Sequence, residues 1–172
     1  TRQAMDDFQV WYDSSPKAAA VRASDNPAAI DAAIDQKVGP ILKGFTTYQI
    51  ESALPELQQF KQSMTQSHLR RRSEERTLER TQLYQMNVRS LVSAVGPLDT
   101  LGATAGDPLG RAAVDGAAER IQASLNETLL TMNKVDAEKN TVAAVFDQAT
   151  ASVDPRMARE ILKRVKVDGN SL

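Results

Sequence analysis

The chain has 172 residues, with 21 Lys and Arg against 22 Asp and Glu and a formal net charge of −1 at pH 7. Hydrophobic residues at 41% and charged residues at 25% suit one globular domain or an assembly of helices, and argue against intrinsic disorder. With no Cys there is no disulfide framework, zinc ribbon, iron–sulfur site or cysteine nucleophile, and the single His excludes His-based metal clusters. The balanced charge gives no electrostatic footprint for nucleic acid. The chain opens Thr1-Arg2-Gln3 with neither an initiator Met nor an apolar leader, and no apolar run reaches the length of a membrane helix. Such a start points to a piece of a longer protein, whose own membrane segments this stretch would not reveal.

In chain order, four helix starts are marked by a capping residue directly before proline: Ser15-Pro16, Asn26-Pro27, Asp107-Pro108 and Asp154-Pro155. Proline suits the first helical turn because that N–H is unpaired anyway, while the Ser, Asn or Asp oxygen accepts from the next free donors. The pattern predicts a helix over about 1–24, interrupted at Ser14-Ser15-Pro16. A second, over 27–50, runs through Ile30, Ile34, Val38, Ile41, Leu42 and Phe45 with a bend at Gly39-Pro40. A long helix over 55–95 follows, and Gly96, Pro97, Gly102 and Gly106 make 96–107 a hairpin loop. A second long helix covers 108–151, and a last one covers 155–167, stopped by Asp168-Gly169-Asn170. No stretch alternates apolar and polar residues over strand length, so the expected fold class is all-α with no sheet. Two long helices of similar length joined by one short connection predict an elongated antiparallel bundle. Two stacked four-helix modules sharing the long pair would cover both helices.

On the first long helix a seven-residue repeat places Leu57, Met64, Arg71, Leu78, Gln85 and Val92 at one seam position. Phe60, Ser67, Glu74, Thr81, Val88 and Val95 share the other, so the interior is expected to be apolar at both ends and polar from Ser67 to Gln85. The second long helix carries Val114, Ala118, Ile121, Leu125, Thr128, Met132, Val135, Lys139, Val142, Phe146 and Ala149, a seam broken at Thr128 and Lys139. Polar groups at core positions cost stability unless paired. A cavity lined by Arg71, Arg72, Gln85, Thr128 and Lys139 would suit a small carboxylate, because Arg offers bidentate donors and Lys a compact charge. The competing account is structural. The block from Leu69 to Arg80 reads equally as a solvated helix face with pairs such as Arg70–Glu74 and Arg71–Glu75, or as an internal Arg71–Glu74 bridge that sets register.

Other features carry less. His68 reads as a half-exposed helix residue, and Phe8, Trp11 and Tyr12 read as core packing. Gly102, Gly106 and Gly110 follow no strand, so they do not form a phosphate loop, and Asn126-Glu127-Thr128 matches a glycosylation acceptor but sits mid-helix. No nucleophile–base set can be assembled, so no enzymatic activity, metal or cofactor is expected.

A Cys-free, all-α stretch built on a long antiparallel hairpin resembles the extracytoplasmic sensor domains of bacterial chemoreceptors and sensor kinases, closest to the helical bimodular type. The matching features are the pair 55–95 and 108–151 with shorter helices around it. An echo between Phe8-Gln9-Val10-Trp11-Tyr12-Asp13 and Val142-Ala143-Ala144-Val145-Phe146-Asp147, each ahead of a proline-started helix, fits that type's internal duplication. The resemblance implies a membrane-anchored parent and a periplasmic location, with loop 96–107 near the bilayer and turns 52–54 and 152–154 distal. It further implies recognition of a small organic acid or a periplasmic binding protein, signalling by helix displacement, and compatibility with a homodimer. A helical interaction or scaffold domain with a purely structural polar core is the alternative.

Overall fold

The computed structural model describes residues 1–95, 108–151 and 155–172. The expected loop 96–107 and turn 152–154 lie outside them. The described residues are predominantly helical: α1 (Arg2–Ser14), a 3-10 turn (Pro16–Ala18), α2 (Ala19–Ala23), α3 (Ala28–Leu42), α4 (Thr47–Ser93), α5 (Pro108–Thr128), α6 (Lys134–Ala151) and α7 (Pro155–Leu162), followed by the short strands β1 (Lys166–Val167) and β2 (Asn170–Ser171). The proline junctions stand where helices begin. Ser15 accepts from the Lys17 N–H at 3.2 Å and Asn26 Oδ1 from the Ala28 N–H at 3.0 Å, while α5 and α7 open on Pro108 and Pro155.

The helix expected over 27–50 ends at Leu42, and the one expected over 155–167 ends at Leu162. Three further features differ from expectation. First, α4 starts at Thr47 rather than at Pro55, so no turn exists at 52–54. A reciprocal cap explains the earlier start: Gln49 Oε1 accepts from the Thr46 N–H at 2.9 Å, and Thr46 Oγ1 from the Gln49 N–H at 3.4 Å. Second, the helix expected over 108–151 is broken at 129–133. Asn133 Oδ1 accepts from the Asp136 N–H at 2.9 Å and starts α6 afresh. Third, the expected absence of any sheet is corrected by an antiparallel ribbon pairing Lys166 with Ser171 and Val167 with Asn170. Its turn residues Asp168 and Gly169 have φ of 51° and 83°, the left-handed pair that a two-residue hairpin requires and that Asp-Gly supplies most easily.

The chain divides into two compact units, Thr1–Thr77 and Leu78–Leu172. In unit 1 the core is built from Ala4, Met5, Phe8 and Tyr12 of α1, Ile30, Ala33, Ile34 and Val38 of α3, and Leu57 and Met64 of α4. The helical spacing of each set puts it on one face. Phe8 packs edge-on against Phe60, with ring centroids 6.0 Å apart, and lies beside Trp11 and Tyr12 as expected of core aromatics. In unit 2, Tyr84, Val88 and Val92 of α4, with Val95 just after it, pack with Val114, Ile121 and Leu125 of α5, Val145 and Ala149 of α6, and Met157 and Ile161 of α7. Val165 and Val167 extend this core to the ribbon. The Gln122 side chain binds both the N–H and the carbonyl of Lys166, at 2.7 and 2.9 Å, and holds the ribbon to α5. Each fully buried Val, Leu or Ile stabilises by roughly 1.5–3 kcal/mol.

The seams also shift. On α4 the buried residues are Ala53, Leu57, Met64 and His68 in unit 1, with Lys61, Arg72 and Glu75 half-buried. These positions advance by 4, 4 and 3, an eleven-residue repeat that matches three helical turns better than seven residues match two. Ser67, Arg71, Glu74 and Leu78 therefore face solvent, and the polar interior expected from Ser67 to Gln85 is not formed. On α6 the break resets the phase: Ala137, Thr141, Ala144, Val145 and Ala149 are buried, whereas Val135 is 68% and Phe146 44% exposed.

Candidate functional site

The Arg block lies on α4 in unit 1. Arg70 pairs with Glu74 and Arg71 with Glu75, at 2.9 and 3.2 Å, as a solvated helix face predicts. The internal Arg71–Glu74 bridge is not formed. Arg72 is the better-covered member: Nη1 holds Glu75 at 2.6 Å, and Nη2 reaches across to Asp25, before α3, at 3.1 Å. Arg76 holds the other oxygen of Asp25 at 2.6 Å. These contacts lower the pKa of Asp25, mainly through Arg76 and then Arg72, and that of Glu75, mainly through Arg72. They raise that of Arg72, through Glu75 first and then Asp25.

Beside this network sits a buried polar contact that the sequence did not announce. His68 is 1% exposed rather than half-exposed. Its Nε2 lies 2.8 Å from the Ser24 carbonyl and its Nδ1 2.7 Å from the Tyr12 hydroxyl. A carbonyl only accepts, so Nε2 carries a hydrogen, and in the neutral ring Nδ1 then accepts from Tyr12. Burial pushes the Tyr12 hydroxyl pKa up, partly offset by the Arg71 charge. Arg22 donates to the backbone carbonyls of Tyr12 and Ser15, which ties α2 to the end of α1.

The remaining expected site residues belong to unit 2. Gln85 donates to Asn140 Oδ1 at 2.7 Å, Thr128 Oγ1 donates back to the Ser124 carbonyl at 2.8 Å, and Lys139 is exposed. The buried polar contact of this unit is again one the sequence did not announce. Thr141 donates to the Ala137 carbonyl at 2.7 Å and therefore accepts from the Tyr84 hydroxyl at 2.6 Å. Burial raises the Tyr84 pKa. Arg71 and Arg72 thus share Glu75 in unit 1, while in unit 2 Gln85 and Thr128 have separate hydrogen-bond partners and Lys139 is exposed. Trp11 Nε1 and Arg89 Nε are buried without a partner; Lys37 covers the Trp11 ring at 4.9 Å, and the far end of Arg89 pairs with Asp147.

Among the described residues, no cluster of His, Asp and Glu could hold a metal ion, and no helix is long and apolar enough to cross a membrane. Large apolar side chains are nevertheless exposed in both units: Val10, Ile41, Tyr48, Leu54 and Leu69 in unit 1, and in unit 2 Leu78, Leu83 and Met86 on α4, Leu130 ahead of α6, and Val135 and Phe146 on α6. No known family model matches the chain, and no curated protein or solved structure is significantly similar to it.

Proposed function

We propose that this chain is a helical recognition module, working by binding rather than by chemistry, with the outward faces of α4 and α6 making the contacts. The observation that carries this reading is a division of labour among side chains. Arg71, Arg72, Gln85 and Thr128 already have partners within the chain, whereas Leu83, Met86 and Val135 are each more than 60% exposed. A donor engaged by a neighbouring carboxylate has little left to gain from an organic acid. Exposed apolar residues on a helix face are the anchors of helix-mediated recognition. A photo-crosslinking residue placed at Met86 or Phe146 of the chain should yield adducts of one defined mass, and the same residue at the exposed polar Asn126 should not. Leu83→Lys should abolish the Met86 adduct. Equal labelling at all three positions, or none at 86 and 146, overturns the reading.

The sensor reading belongs to the same class: an extracytoplasmic domain of a chemoreceptor or sensor kinase, recognising a small organic acid or a periplasmic binding protein. It is favoured by one feature, that α4 runs unbroken from Thr47 to Ser93 and supplies core residues to both units. A helix shared by two cores is the element such a sensor would displace, by roughly 1–2 Å. Ligand binding would have to favour one position of that helix over the other.

A further inference from the structure

An open groove of about 600 Å³ runs between α3 and α4 in unit 1, lined by Asp31 from α3 and Gln58, Lys61, Gln62, Thr65 and Gln66 from α4. It is open to solvent, with Asp31 and the three glutamines exposed and Lys61 and Thr65 half-buried. The two cross-helix contacts at the groove are unequal. Lys61 Nζ is held by Asp35 Oδ1 at 2.6 Å, whereas Asp31 meets only the Thr65 hydroxyl, at 3.4 Å. Among the described residues no cation pairs with Asp31. Two carboxylates and one ammonium leave the groove with a net charge of −1, concentrated on Asp31. Gln58, Gln62 and Gln66 recur every fourth residue, so their amides form a row along one side, each offering a carbonyl acceptor and an NH₂ donor.

We propose that this groove binds a small primary amine that also carries a hydroxyl or amide group. The ammonium would sit against Asp31 and the Thr65 oxygen, and the polar remainder along the glutamine row. A compact ammonium with three donors matches one carboxylate flanked by neutral acceptors. A divalent cation is a poorer match, since it needs several hard oxygen ligands at once. A carboxylate ligand would have to displace Asp35 from Lys61 and face Asp31 as a like charge. The site is separate from the outward faces of α4 and α6 in unit 2, so its failure and the failure of the recognition reading are distinguishable.

The test is a titration of the full chain at constant ionic strength, followed by the NMR side-chain amide signals of Gln58, Gln62 and Gln66. The probes are ethanolamine and glycinamide, with tetramethylammonium, acetate and ethylene glycol as controls. Saturable shifts are expected with the two amines and not with the controls, because tetramethylammonium has no N–H to donate. Asp31→Asn should weaken amine binding about tenfold or more, the loss of one charge-assisted hydrogen bond, while the rest of the spectrum and the melting temperature stay as in the parent. Absence of saturation up to tens of millimolar overturns the proposal. So do shifts that survive Asp31→Asn, or equal shifts with tetramethylammonium or acetate.

Discussion

Unit 1 and unit 2 each place a buried polar contact on α4, but the one in unit 1 lies beside a network of four charged side chains, whereas the one in unit 2 is a chain of hydroxyls, with Arg89 of the same helix forming a single charged pair with Asp147. In unit 1 the His68 contact to Tyr12 and Ser24 lies next to the Arg72–Glu75–Asp25–Arg76 network, and the charged groups stay at the margin: Arg72 is 19% exposed and Asp25 53%. In unit 2 the Tyr84–Thr141–Ala137 chain is uncharged, and Thr141 is fully buried. The difference follows from desolvation. A hydroxyl loses little when it exchanges water for one good partner, whereas a guanidinium loses far more and keeps part of its surface wet. Polar seam residues are therefore no sign of a ligand by themselves; what matters is whether each has found its partner.

The largest expected effect tests the apolar frame that both polar sets depend on. Leu125→Ala should cost about 2–5 kcal/mol in chemical denaturation, as a fully buried leucine does. Phe146→Ala, on the outward face of α6, should cost about 1 kcal/mol or less. Equal losses would place Phe146 in the core. Next comes the neutral chain. Thr141→Val strands the buried Tyr84 hydroxyl and should cost about 1–3 kcal/mol. Adding Tyr84→Phe should recover part of that loss, giving a measurable coupling in a double-mutant cycle. Strict additivity would mean that the two hydroxyls do not depend on each other.

The charged network of unit 1 is expected to show itself through pH. Asp25 and Glu75 have lowered pKa values in the folded chain because of their arginine partners. Their contribution is therefore complete above the unfolded carboxylate values, about 4, and is lost as pH falls through the lower folded values. Trp11 is the single Trp and lies in unit 1, so its fluorescence reports that unit. Acid titration should disturb it below about pH 4, and Arg72→Met should make the dependence shallower. An unchanged acid profile in Arg72→Met would remove the network from the account.

Local chemistry was legible in the sequence and long-range register was not. Each proline junction is a signal contained in two residues, and all four mark helix starts. The Thr46-x-x-Gln49 box and the Asn133-x-x-Asp136 cap were equally readable. They were masked by a proline downstream in one case and by an apparently continuous seam in the other. Asp168-Gly169 reads as a helix stop in the sequence because strands of two residues are too short to alternate visibly. The seam on α4 failed for a geometric reason. A seven-residue repeat drifts about 20° per step around a straight helix, so Arg71 and Leu78 rotate off the face that Leu57 and Met64 start. Eleven-residue steps from Leu57 and Ala53 instead reach His68 and Met64, the residues that are buried. The α3–α4 groove could not be read at all, because nothing in either helix alone says which of its polar residues face the other.

Of the side chains that would hold an organic acid, Arg71, Arg72, Gln85 and Thr128 are already engaged within the chain, and Lys139 stands exposed. A thermal-shift screen of small carboxylates on the parent chain and on Arg71→Ala tests this most directly. A ligand that binds only the folded state raises the melting temperature by mass action. The account predicts no shift with any carboxylate, and a change of about 0.5 kcal/mol or less from Arg71→Ala itself, because its exposed pair with Glu75 contributes little. A carboxylate that raises the melting temperature of the parent chain, and no longer does so in Arg71→Ala, would contradict it.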